Sequence, residues 1–160
     1  MAPNRAFESG RAEARRSTRT LEVMSTNGAP VEQLKTVGFR LVGEWKLEAE
    51  KLNCALQDLG SSTNVLYAFV EGESVLYIGK SVRSLKQRLY GYQNPGPTQF
   101  TNIKANKLIR EALGTQRSIA VYAFADPGDL RHGGFHVNLA AGLEDSLIAT
   151  LKPAWNKAGV

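Results

Sequence analysis

The sequence predicts an α/β chain of the α+β type: a small sheet of three strands, antiparallel at least in its hairpin, flanked by helices. Three observations predict it. Two β-branched and aromatic runs, NVLYAFV and SVLYIGK, flank Glu71-Gly72-Glu73, which is a hairpin signal. Two segments of helical periodicity follow, and then a third strand-like run, SIAVYAFA. A last periodic segment near the C-terminus completes the order β-β-α-α-β-α, without an internal repeat.

Taken in order, residues 1–28 read as a disordered basic arm, because positions 1–20 hold five arginines and almost no large apolar residue. Residues 29–60 read as an N-terminal extension with one helix packing on the core. Within it, GFRLVGE (Gly38 to Glu44) is a short extended segment. Trp45 to Leu59 is expected to be helical, with Leu52, Ala55, Leu56 and Leu59 at i, i+3, i+4, i+7. Cys54 falls in that segment as a packing residue. Residues 61–160 form the main domain, opening with the hairpin. Ser84, with Gln87 three residues on, is a capping box that starts a helix. QNPGPTQ is a loop. Thr101 to Leu113 is a second helix, with Ala105, Leu108, Ile109, Ala112 and Leu113 on one face and Gly114 as its stop. After SIAVYAFA, a loop carrying DPGD and HGG leads to a final helix, about Leu143 to Leu151, ended by Pro153.

At 160 residues the chain suits one ordinary domain with a tail and can bury a real core. No run approaches the 18 or so apolar residues of a membrane span, and no signal-peptide stretch follows the first charges. A cytoplasmic protein is expected. The single cysteine, Cys54, excludes an intramolecular disulfide and any multi-Cys zinc site. The H-x₃-H spacing of His132 and His136 has neither a helix nor Cys partners, and reads as loop. The formal net charge is +5, yet Tyr77 to Arg117 alone holds eight cations against one anion, Glu111, a net +7. Such a concentration suits a polyanion, a nucleic acid backbone first of all; the plain alternative is a solvated basic face.

Gly79-Lys80-Ser81 imitates the end of a nucleotide-binding P-loop, but Ser74 stands where its first glycine belongs. The residues between, Val75 to Ile78, are a strand rather than a flexible cradle. The nucleotide reading fails. Two other features are odd for a core. Arg88 shares a helix face with Leu85, Leu89 and Tyr92, and Glu144 shares one with Leu147, Ile148 and Leu151. A buried charge is costly, so such residues are paired, metal-bound, lining a cleft, or snorkelling at a stripe's edge.

Tyr67 in VLYAFV, Tyr77-Ile78-Gly79 in LYIGKS, Arg88 in KQRLYGY, Glu144 in GLEDSLI and Asn156 in KPAWN together resemble the five motifs of the GIY-YIG endonucleases, in that order. Val65-Leu66-Tyr67 departs from Gly-Ile-Tyr but keeps the tyrosine. The resemblance covers about residues 64–157 and is greatest to the small GIY-YIG restriction enzymes and phage endonuclease II. It implies a GIY-YIG nuclease fold and a metal-dependent DNA endonuclease, a type II restriction-like enzyme with sequence specificity. Double-stranded DNA is its partner, no membrane is involved, and a homodimer is compatible with it. One Mg²⁺ (or Mn²⁺) per active site is implied, held by Glu144.

The resemblance also implies roles. Tyr67 is the general base, its pKa of about 10 lowered by Lys80 or Arg88. Tyr77 positions the water or the scissile phosphate, Arg88 gives a two-point contact to non-bridging oxygens, and Lys80 adds a point charge. Tyr92 bonds the phosphate or poises the nucleophile, and Asn156 orients Glu144 or its metal-bound water. Ser81, Arg83, Lys86, Lys104, Lys107 and Arg110 are expected along the DNA backbone, with Asn102 and Asn106 reading base edges; for Ser81 a turn role is equally open. Two alternatives stand beside a restriction enzyme: a phage, mobile-element or repair nuclease, and a nucleic-acid-binding module that has lost cleavage.

Overall fold

The computed structural model describes residues 28–157, so the expected basic arm lies outside the described residues except for Gly28. The first element, α1 (Pro30–Val37), starts on a proline and stops at Gly38. There a φ of +113° lets the Gly38 N–H turn back to the Leu34 and Lys35 carbonyls. Strands β1 (Arg40–Glu48) and β2 (Lys51–Leu56) follow, then β3 (Val65–Glu71), β4 (Ser74–Ser81), helices α2 (Leu85–Gln93) and α3 (Phe100–Gly114), β5 (Ala120–Ala125) and α4 (Leu139–Leu151). A 3₁₀ turn, Ala154–Asn156, closes the described chain.

The class is the expected one, but the sheet has five strands rather than three, all antiparallel, in the order β2-β1-β5-β3-β4. Of the two additional strands, β1 begins within the expected extended segment and runs on into the segment expected to be a helix, which also supplies β2. Trp45 to Leu56 forms a hairpin in which Glu48 pairs with Lys51 around Ala49-Glu50, both at positive φ. Helix-forming Leu, Ala, Glu and Lys dominate that stretch, and its apolar residues satisfy either period. Pairing of β1 with β5 decides between them, and buries Val42, Trp45 and Leu52 against the sheet's helical cover.

The two faces of the sheet carry separate cores. Tyr67 and Phe69 pack on α2 and α3 through Leu85, Leu89, Tyr92, Ala105 and Ile109. Leu66, Ala68, Val70 and Ile78 pack on α1 and α4 through Val31, Leu34, Ala140 and Leu147. β3 is buried from Val65 to Val70, which explains its unbroken apolar run. Ser84 caps α2 by accepting from the Gln87 N–H at 3.3 Å. α3 is the expected helix, one residue longer at each end, so that Gly114 is its last helical residue and Thr115 its cap. α4 begins four residues earlier than expected, because the Asn138 side chain accepts from the Ala141 N–H and carries the helix through Gly142. The HGG loop is a short hairpin, β6 (Arg131–His132) with β7 (Phe135–His136), and His136 Nε2 lies 2.9 Å from Asp126 at its base. No helix among the described residues is long and apolar enough to cross a membrane.

Candidate active site

The β3–β4 hairpin decides whether its two tyrosines can share a site. Its turn has an even loop, Gly72-Glu73, with Glu71 opposite Ser74 and Val70 opposite Val75. Continued unchanged, that register would send Tyr77 to the opposite face from Tyr67. The register shifts at Leu76, so that Leu76 and Tyr77 both lie on the α2–α3 side. Tyr67 therefore faces Gly79 rather than Tyr77, and Tyr77 faces Phe69, yet the two tyrosines lie on one face. The glycine is required there: a Cβ on residue 79 would stand 2.4 Å from the Tyr67 hydroxyl.

α2 brings Arg88 and Tyr92 onto the same spot. The Tyr67 and Tyr92 hydroxyls are 2.6 Å apart, and Tyr92 donates to Tyr77 at 3.3 Å. Arg88 donates from Nε to Tyr67 at 2.9 Å, from Nη2 to Tyr92 at 2.7 Å and from Nη1 to Asn102 Oδ1 at 3.0 Å. Its guanidinium carbon also stands 4.4 Å from the centre of the Tyr92 ring. Because Arg88 donates to both hydroxyls and Tyr92 donates onward, the bonds are consistent with one direction: Tyr67 to Tyr92 to Tyr77. The Tyr77 hydroxyl is the outer end of that chain, on a half-buried ring.

Tyr67 and Tyr92 are sealed in, both at 0% exposure. Burial, the largest effect, pushes the Tyr67 phenol well up, and the nearby Tyr77 adds to it; Arg88 and the bond to Tyr92 offset this only in part. Burial likewise pushes Tyr92 well above the usual range. The expected lowering of Tyr67 is thus corrected. Burial outweighs Arg88, and Lys80 is on the other side of the strand, next to α4 rather than the tyrosines.

There Lys80 Nζ meets Glu144 Oε2 at 2.9 Å, with the Glu144 side chain only 16% exposed. Arg88 and Glu144, the two charges on apolar faces, are therefore not each other's partners. They flank β4, the edge strand, from opposite faces. Asn156 occupies the free edge between them: its Oδ1 accepts from the Ile78 N–H and its Nδ2 donates to the Ile78 carbonyl, both at 2.8 Å. Its amide is spent on the strand, so it orients β4 and not Glu144 as expected. Among the described residues no group of three or more His, Cys, Asp or Glu is placed to hold a metal.

Of the residues expected on DNA, Arg83 and Lys86 stand exposed at the start of α2. Ser81 is buried and takes the turn role, accepting from the Arg83 N–H. Lys107 lies 3.9 Å from Glu111, and Lys104 is half-buried on α3. The two asparagines are corrected, since both turn inward. Asn102 bonds Arg88 and the Gln99 side chain, while Asn106 donates to the Tyr92 and Gln93 carbonyls and accepts from Arg110. Arg110 also reaches the Glu50 carbonyl at 2.7 Å, which ties α3 to the β1–β2 turn instead of leaving it for a phosphate. Sequence reasoning missed Asn102 as the support of Arg88, and nothing local could have revealed it: the contact joins two helices across QNPGPTQ.

The solved structure of a mutant of bacteriophage T4 EndoII, a GIY-YIG protein, superposes with a TM-score of 0.61 at 20% identity, over 81% of this chain and 99% of that one. The chain has the EndoII fold. The resemblance read from five short motifs thus extends to the architecture that holds them. The restriction endonuclease HPY188I in complex with product DNA is also similar, at a TM-score of 0.45 and 20% identity over 78% of this chain and 79% of that one. No family model and no curated protein matches the chain.

Proposed function

We propose that this protein is a metal-dependent DNA endonuclease of the restriction type, hydrolysing phosphodiester bonds at a chosen sequence. One observation carries the reading: a chain of three tyrosine hydroxyls held by Arg88 lies on one side of an edge strand, and the Lys80–Glu144 pair lies on the other. A phosphodiester crossing β4 beside Asn156, which fills the free edge at Ile78, would meet both. The basic stretch from Tyr77 to Arg117 draws the polyanion in, and the fold shared with EndoII agrees with the chemistry.

Hydrolysis needs a water aimed at phosphorus, cations for the charge growing on the non-bridging oxygens, and a proton for the leaving oxygen. Tyr77 is the hydroxyl that meets the water: it takes the water's proton as the new P–O bond forms and gives up its own to solvent, and solvent protonates the leaving oxygen. Tyr67 and Tyr92 remain neutral behind it and fix its position. Arg88 spends three of its five N–H groups on Tyr67, Tyr92 and Asn102, which leaves one on each terminal nitrogen for the phosphate. Lys80 adds charge from the far face of β4. A hard cation such as Mg²⁺ fits Glu144, whose carboxylate is shielded yet bonded at only one oxygen. When bound, it would supply further positive charge against the phosphate oxygens.

The test is incubation with plasmid DNA and Mg²⁺, followed by mapping of the ends. Discrete ends that disappear in EDTA are expected. Intact plasmid, or equal cutting in EDTA, would overturn the reading.

A further inference from the structure

Among the described residues, an unspent amide stands on the helix that carries Arg88 and Tyr92. Asn102, Asn106, Gln99 and Asn156 all use their side chains inside the protein. Gln87 is different. Its backbone belongs to the helix, with the N–H engaged by Ser84, and among the described residues its carboxamide has no partner. It lies on the outer face of α2, in a groove of about 370 Å³ lined by Arg83, Lys86, Gln87 and Tyr90. Tyr90 is 60% exposed there, so an apolar ring with a polar tip is held in solvent beside two cations.

Resting on the nuclease reading, we infer that this outer face of α2 is the specificity surface, with Gln87 reading a base edge next to the cut. The chemistry fits a DNA groove. A carboxamide offers a donor and an acceptor side by side, the pair that matches adenine N7 and N6 in the major groove. Arg83 and Lys86 flank it as phosphate contacts, which set register but carry no sequence information. The helix couples the two tasks. Gln87 adjoins Arg88, whose side chain turns inward to the tyrosines while that of Gln87 turns out. One rigid element then fixes the distance between the base that is read and the phosphate that is attacked.

The experiment is selection of bound duplexes from a randomised pool in EDTA, where binding is scored without cleavage. The wild type is compared with Gln87→Ala, Gln87→Glu, Arg83→Ala and Lys86→Ala, all at exposed positions. The wild type should enrich a defined motif, and both Gln87 variants should lose about tenfold or more preference at one base pair, expected to be A·T. Arg83→Ala and Lys86→Ala should weaken all sequences alike and reduce the salt slope by about 1 each. An unchanged motif in the Gln87 variants, or no motif in the wild type, overturns the inference. Plasmid cleavage by the wild type is scored separately. Cutting with a motif indifferent to Gln87 sinks the surface and keeps the nuclease; a Gln87-dependent motif without cutting does the reverse.

Discussion

At the scale of single residues, the site is a problem of fitting two aromatic rings against one strand. Tyr67 lies across Gly79, and Gly79→Ala would drive a methyl into a phenol that is itself fully buried and cannot withdraw. Such overpacking costs about 1–3 kcal/mol. A matching drop in the denaturant midpoint is expected, with loss of cleavage larger than the loss of stability explains. Burial also keeps the Tyr67 and Tyr92 phenols protonated, so neither takes a proton from the water. Tyr77→Phe should therefore lower turnover by more than Tyr67→Phe does, with DNA affinity little changed in both. The reverse order would make Tyr67 the base. The raised phenols also bear on stability. A free tyrosine ionises at a pH of about 10. Above that, the unfolded chain sheds protons the fold retains, and stability falls.

At the scale of elements, legibility followed the reach of the signal. The β3–β4 hairpin, α2, α3 and β5 were readable because period, cap and turn residues agreed locally. The β1–β2 hairpin was not, past the extended start of β1, because β2 pairs only with β1 and β1 is held in turn by β5, far downstream in the chain. The motif residues could be picked out, but not their partners. Arg88 with Asn102, Lys80 with Glu144, and Asn156 with Ile78 are all contacts between distant segments. The last of these makes a prediction about the edge strand. Asn156→Leu removes both bonds to Ile78 and leaves two backbone groups of β4 unpaired. Faster hydrogen exchange at Ile78 and lower turnover are expected, with less change in DNA affinity. Undisturbed exchange at Ile78 would mean the strand is held without Asn156.

At the scale of the whole molecule, the proposed function divides charge between holding DNA and cutting it. In that proposal the basic stretch serves the first task, and Glu144 is an acidic group placed against it, through Lys80, on the apolar side of α4. Glu144→Gln separates the tasks: the amide keeps the shape but loses the charge that would hold a cation, while Lys80 loses its ion-pair partner and becomes free for a phosphate. Cleavage should therefore disappear, and DNA affinity should hold or increase, most visibly at low salt where exposed charges are least screened. Arg88→Lys should behave differently. It keeps the charge but cannot reproduce three bonds made at once to Tyr67, Tyr92 and Asn102, so turnover should fall by more than affinity. Filter binding across a salt series, beside single-turnover cleavage of the same duplex, distinguishes the two. If Glu144→Gln weakens binding as much as cutting, the carboxylate serves the fold through Lys80 rather than the chemistry, and the metal would have to be sought elsewhere.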